Sequence, residues 1–245
     1  MPCCYLPEID SKENTFVIQG EEFHHLSQVV RKREGEEILV TSGTGILAKC
    51  LILEIERKLM IIEIKSKEYY KRSTPQMALG FALLKNKHDN MIIEKVTELG
   101  CSSFYPLETE RTVRHISDNL ISKLHKVAIS AIKQCDNAWL PEINECYNLR
   151  EIPSRMKEDG YLPVVALETE NTVNLQELKR IYPDRSMGII IGPEGGFTKT
   201  EIEFFKEEQI ATFSLGNHTL RAETAAITAI SQLAGINLYS DKNYY

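Results

Sequence analysis

The chain has 245 residues, 42% apolar and 26% charged, a balance that excludes a disordered or collagen-like polypeptide. No apolar run reaches membrane-spanning length and residues 1–8 lack the basic and apolar stretches of a secretory leader, so a cytoplasmic protein is expected. The formal charge of −6 excludes a uniformly basic nucleic-acid binder, but residues 1–140 hold 19 Lys and Arg against 19 Asp and Glu, so the acidity lies beyond them.

Residues 16–18, 38–40, 46–55 and 59–64 are β-branched or apolar runs of strand type. Thr41-Ser42-Gly43-Thr44-Gly45 joins the second run to the third as a hairpin loop. One helix interrupts these strands, with His25 and Val29, and with them Leu26 and Val30, expected to face inward. Such a set predicts a small β-barrel over residues 1–72, ended by the polar linker Lys71-Arg72-Ser73-Thr74-Pro75. Six cysteines are scattered without a C-x-x-C pair, and histidines show no metal-ligand spacing, so reduced thiols and no metal are expected.

From residue 73 to 245 strands alternate with helices. Residues 77–84 read as a buried strand and 89–99 as a helix, with Ile92, Val96 and Leu99 on one stripe and Gly100 as its stop. A strand over 104–107 precedes a helix starting near Ser117, with Leu120, Leu124, Val127 and Ala131 aligned. Residues 164–167, 187–191 and 213–215 are further buried strands, so a mainly parallel α/β sheet is predicted. Basic groups recur at Arg31-Lys32-Arg33, Lys71-Arg72, Lys85 with Lys87, Arg111 with Arg114, and Lys123 with Lys126. Of these, Arg31, Lys32, Arg33, Lys85 and Arg111 are the RNA-binding candidates.

Two segments carry chemistry. Gly188-Ile189-Ile190-Ile191-Gly192-Pro193-Glu194-Gly195-Gly196-Phe197-Thr198 runs a buried strand into a glycine loop and then a helix. Thr198 with Glu201 forms a capping box, and Phe197 with Ile202 fits a hydrophobic staple. Three glycines let backbone approach a ligand at the carboxyl end of a strand. The loop is neither a P-loop nor a G-x-G-x-x-G fingerprint, so residue physics alone leaves the ligand unidentified. The second segment, Leu215-Gly216-Asn217-His218-Thr219-Leu220-Arg221-Ala222-Glu223-Thr224-Ala225, also joins a strand to a helix, and Arg221 and Glu223 fit either a helix-end ion pair or a site.

Together these segments closely resemble the RsmE family, the 16S ribosomal RNA uridine N3-methyltransferases of the SPOUT superfamily. Further matches are His25-Leu26, Val30-Arg31, Gly35-Glu36, Glu94-Lys95, Glu98-Leu99-Gly100, Glu110-Arg111, Lys133-Gln134 and Leu140-Pro141-Glu142-Ile143. The resemblance implies a PUA-like β-barrel at 1–72 that binds RNA and a SPOUT-type α/β domain at 73–245 with a C-terminal trefoil knot. It also implies a homodimer and S-adenosylmethionine held by Leu167, Gly192, Gly195, Gly196, Leu215, Leu220 and Thr224. The implied partner is 16S rRNA in the small ribosomal subunit, with no membrane. The chain departs from the family pattern at Cys3, Lys133, Asp136, Asn137, Asn217 and His218, where RNA contacts are expected.

Methylating an imide nitrogen requires a proton acceptor and stabilisation of charge on the flanking carbonyls. Glu194 is the candidate acceptor and Arg221 the candidate stabiliser. Rival expectations are a knot-fold methylase acting on a ribose 2′-hydroxyl or another base, and a non-catalytic RNA-binding module.

Overall fold

The computed structural model describes residues 1–85, 88–112, 119–168 and 173–240. Lys87, Arg114 and the expected helix start at Ser117 lie outside the described residues. The chain divides into two units, Met1–Arg72 with Ile129–Leu140, and Ser73–Ala128 with Pro141–Tyr245.

In the first unit, β1 (Cys3–Tyr5), β2 (Thr15–Gln19), β3 (Glu37–Thr41), β4 (Ile46–Ile55) and β5 (Leu59–Tyr69) form one sheet in the order β1-β3-β4-β5-β2. Only β1 and β3 run parallel. Period-two alternation on β4 turns Ile46, Ala48, Cys50 and Ile52 into the core, where Phe16, Ile18, Ile38, Val40, Met60 and Ile62 meet them. The ladders follow an open path whose two ends are β1 and β2.

The helix between β2 and β3 corrects the sequence expectation. It is α1 (Gly20–His24) followed by a π-helical turn over His25–Val29, and only Leu26 of the four expected residues is buried. Val29 is 64% exposed, so it faces water rather than the core. The amide of Val30 donates to the His25 carbonyl, five residues back, and this wider turn rotates the stripe away from α-helical spacing.

Ile129–Leu140 completes this unit from the middle of the chain. The Gly45 amide donates to the Ala138 carbonyl, the Leu140 amide to the Gly43 carbonyl, and the Trp139 indole N–H to the Tyr70 carbonyl. Lys133 Nζ lies 2.7 Å from Glu22 Oε1. Gly45 has φ +105°, and a Cβ there would fall 2.6 Å from the Trp139 ring, so only glycine fits.

In the second unit, β6 (Met77–Ala82), β7 (Ser103–Glu108), β8 (Glu142–Ile143), β9 (Tyr147–Asn148), β10 (Leu162–Ala166), β11 (Met187–Ile191) and β12 (Ala211–Phe213) form one sheet. Its order is β12-β10-β11-β6-β7-β8, with β9 also on β7, and every ladder is parallel. The chain is therefore mixed α/β with a parallel sheet, and β6 and β11, buried along their whole length, are the central strands that the continuous apolar runs predict. The helices are α2 (His88–Glu98), α3 (Leu120–Gln134), α4 (Ile152–Glu158), α5 (Leu175–Ile181), α6 (Lys199–Glu207) and α7 (Ala222–Ser240). α7 packs on β6 and β11 and beside α2 and α5. No helix among the described residues is long and apolar enough to cross a membrane.

Candidate active site

Parallel strands present all their carboxyl ends at one edge, where ligands bind in open α/β sheets. Here β12, β10 and β11 are neighbours, so the loops leaving them converge. They line an open pocket of about 260 Å³, far more than the ~10–15 Å³ that one water needs. Leu167 and Glu168 leave β10, Gly192 to Phe197 leave β11, and Ser214 to Gly216, His218 and Leu220 follow β12. Ala222 and Ala225 close the wall from the first turn of α7, and Arg111 reaches it from the loop after β7.

The glycine loop is held in place from three sides. Thr198 Oγ1 accepts the Glu201 amide at 3.2 Å and Glu201 Oε2 accepts the Thr198 amide at 2.7 Å, so the capping box is formed. The Phe197 ring meets Phe205 edge-on at 5.1 Å and stands against Gly192, where a Cβ would fall 3.0 Å from it. Arg111 donates from one guanidinium nitrogen to the Gly195 carbonyl at 2.5 Å and the Phe197 carbonyl at 3.5 Å. Buried Glu201 then reaches across with Oε1 to accept the Glu110 amide at 2.9 Å, tying the β7 loop to the start of α6.

Leu167, Gly192, Gly195, Gly196, Leu215 and Leu220 are thus brought together on one wall. Thr224 is not on it: it is exposed, while Ala222 and Ala225, three apart on one helix face, point inward. Glu194 is at the rim, exposed, with Oε1 accepting the Lys85 amide at 3.2 Å. Arg221 is exposed just before α7, its carbonyl accepting the Ala225 amide, and it is not part of the wall. Glu223 is buried with Oε1 3.3 Å from His88 Nδ1.

Of the RNA-binding candidates, Lys85 is exposed in the second unit, and Arg31 and Arg33 are exposed in the first. Lys32 is half-buried, with Nζ 3.7 Å from Glu36 Oε1. Arg111 is engaged with the glycine loop. Sequence reasoning missed Glu168 and Ser214, which carry no local signal, and it found Glu201 as the capping-box partner but not its reach to the Glu110 amide.

Residues 71–234 match the RNA methyltransferase domain family, and residues 18–65 match the RNA methyltransferase PUA domain. The chain belongs to the RNA methyltransferase family. Within this RNA methyltransferase family, it is 29% identical over 229 residues to the ribosomal RNA small subunit methyltransferase E of Bacillus subtilis (strain 168), covering 90% of each. It is 30% identical to the protein of that name from Rickettsia conorii, covering 86% of this chain and 85% of the relative. Among solved structures, a methyltransferase from Legionella pneumophila in complex with the bound cofactor SAM is 27% identical, with a TM-score of 0.85 over 95% of this chain and 96% of that one. The Neisseria gonorrhoeae ribosomal RNA small subunit methyltransferase E, 24% identical, shares the fold at a TM-score of 0.87 over 96% of this chain and 98% of that one.

Proposed function

We propose that this protein methylates N3 of a uridine in small-subunit ribosomal RNA, using S-adenosylmethionine as donor. The observation that carries the reading is the pocket at the carboxyl edge of β10, β11 and β12. Its wall is bare backbone at Gly192, Gly195 and Gly196 and apolar surface at Leu167, Leu215 and Leu220, a lining that suits a flat purine with polar appendages. Ala222 and Ala225 take the place of Thr224 in that set. When bound, the donor supplies an electrophilic methyl group and needs no metal.

The chain's own residues position the acceptor base. Arg221, exposed at the start of α7, is suited to hold a phosphate or balance the charge of a uracil anion. Glu194 spends one carboxylate oxygen on the Lys85 amide, so we assign it to holding the glycine loop to the end of β6 rather than to proton transfer. Arg31 and Arg33 are the phosphate contacts of the first unit, which we read as a PUA-like barrel for RNA. A trefoil knot in the second unit and a homodimer belong to the same reading.

Nucleoside mass spectrometry of small-subunit RNA from a strain lacking the protein tests the reading. N3-methyluridine is expected to disappear and to return with the gene. Loss of a ribose methylation instead, or no loss at all, overturns it in favour of one of the rivals named above.

A further inference from the structure

Tyr69, the last residue of β5, is 74% exposed, more than any other large apolar side chain among the described residues. Tyr70 is 45% exposed, and Lys71 and Arg72, which follow it, are exposed as well. Two open rings and two cations therefore occupy four consecutive residues. Among the described residues no carboxylate pairs with either cation.

The run is held from behind within the first unit. The Tyr70 amide donates to the Gly45 carbonyl at 2.8 Å, and the Tyr70 carbonyl accepts the Trp139 indole N–H at 3.0 Å. The Tyr70 hydroxyl donates to Glu68 Oε2 at 2.7 Å, which occupies the nearest acid on the strand. The Trp139 ring in turn carries the Arg72 guanidinium, 5.1 Å from the ring centroid. Stacking of that kind restricts the guanidinium but leaves its charge and its N–H edge available. Tyr70, Trp139 and Arg72 are thus fixed, and the Tyr69 ring keeps a face toward water.

An open ring beside two such cations complements a chain that offers a flat group and an anion at every step. Nucleic acid does so, whereas an acidic peptide would use the cations and leave the ring idle. A-form duplex shows a protein phosphates and 2′-hydroxyls but no base face, so the base that stacks must be unpaired. Tyr69 and Tyr70 fall between the stretches matched by the PUA and methyltransferase families, 18–65 and 71–234.

We propose that Tyr69 stacks on an unpaired base of the RNA substrate, while Lys71 and the indole-borne Arg72 hold the flanking phosphates. This rests on the reading above for RNA as the substrate, and not on which atom is methylated.

The test uses the full-length protein with oligouridine of about ten nucleotides, an RNA duplex of equal length, and small ribosomal subunits. Tyr69→Ala is expected to weaken oligouridine binding about 10-fold and to leave duplex binding, Tm and S-adenosylmethionine affinity unchanged. Tyr69→Phe is expected to bind normally, because stacking needs the ring and not the hydroxyl. The salt dependence should keep its slope in Tyr69→Ala and lose about one unit of slope in Arg72→Gln. Trp139, the chain's one tryptophan, should change its fluorescence when oligouridine binds. Equal oligouridine affinity of Tyr69→Ala and the unsubstituted protein, including no binding by either, overturns the proposal. So does a loss as large in Tyr69→Phe as in Tyr69→Ala. A loss confined to ribosomal subunits assigns the ring to a ribosomal protein and overturns it too. If Tyr69→Ala loses oligouridine but the methylated product is not N3-methyluridine, the reading of function fails and the stacking site stands.

Discussion

Gly192 and Gly195 stand three residues apart in one loop yet meet different neighbours. A Cβ at Gly192 would press on the Phe197 ring at 3.0 Å, and that ring is already packed on Phe205. A Cβ at Gly195 would meet only the Arg111 side chain, at 3.3 Å, which can swing aside. Gly192→Ala should therefore cost about 1–3 kcal/mol of stability along with donor binding. Gly195→Val should abolish binding while thermal denaturation stays within a few degrees, and normal binding in calorimetry would remove the loop from the donor site. Thiol chemistry gives an independent check on the cores. Burial pushes the Cys3, Cys50 and Cys101 thiols up to about 12 by disfavouring the thiolate, whereas Cys135 is exposed. Titration with a chromogenic disulfide near pH 8 should label Cys135 first, and the other three only on unfolding. The sequence made the three glycines legible as a ligand loop because their pattern is local. It could not reveal that Phe197 is the reason for one of them, since Phe205 is brought there by folding.

At the level of elements, what the sequence displays best is what is decided within one turn of chain. The capping box at the start of α6 is of that kind, and the helix begins where it predicts, at Lys199 after Thr198. The π-helical turn at His25–Val29 and the inward face of α7 are not, because spacing presumes a regular helix and a known packing direction. Glu201 joins both levels, since one oxygen closes its own helix cap and the other holds the Glu110 amide. Glu201→Gln keeps the size but offers a single acceptor oxygen, so one part-buried amide loses its partner. We expect a loss of about 1–3 kcal/mol in denaturant unfolding and weaker donor binding, because Arg111 follows Glu110 directly. Thr198→Ala should cost only about 1 kcal/mol, as for an ordinary helix cap. Equal effects of the two substitutions would show that the tie to the β7 loop is idle.

For the whole molecule, the alternation of strands and helices predicts a parallel sheet, and the sheet is parallel throughout. The strand order is not legible, because it depends on which buried strands pair after long crossovers, and neither is the enlistment of Ile129–Leu140 by the first unit. That segment carries no barrel-like pattern, and it is joined by two backbone hydrogen bonds together with the Trp139 and Lys133 side chains. In RNA binding, reversing Arg31 and Arg33 to Glu should weaken association alike for all sequences and flatten its salt dependence, as phosphate contacts require. An unchanged salt slope would take both arginines off the RNA surface. The borrowed segment also sets a timetable during synthesis. Strands β1 to β5 leave the ribosome well before Trp139, yet the Gly43 and Tyr70 carbonyls and the Gly45 amide obtain these hydrogen-bond partners only when residues 138–140 emerge. At about 5–20 residues per second, the nascent first unit must wait several seconds with those backbone groups open, so its maturation is governed by translation through the second unit's opening strands.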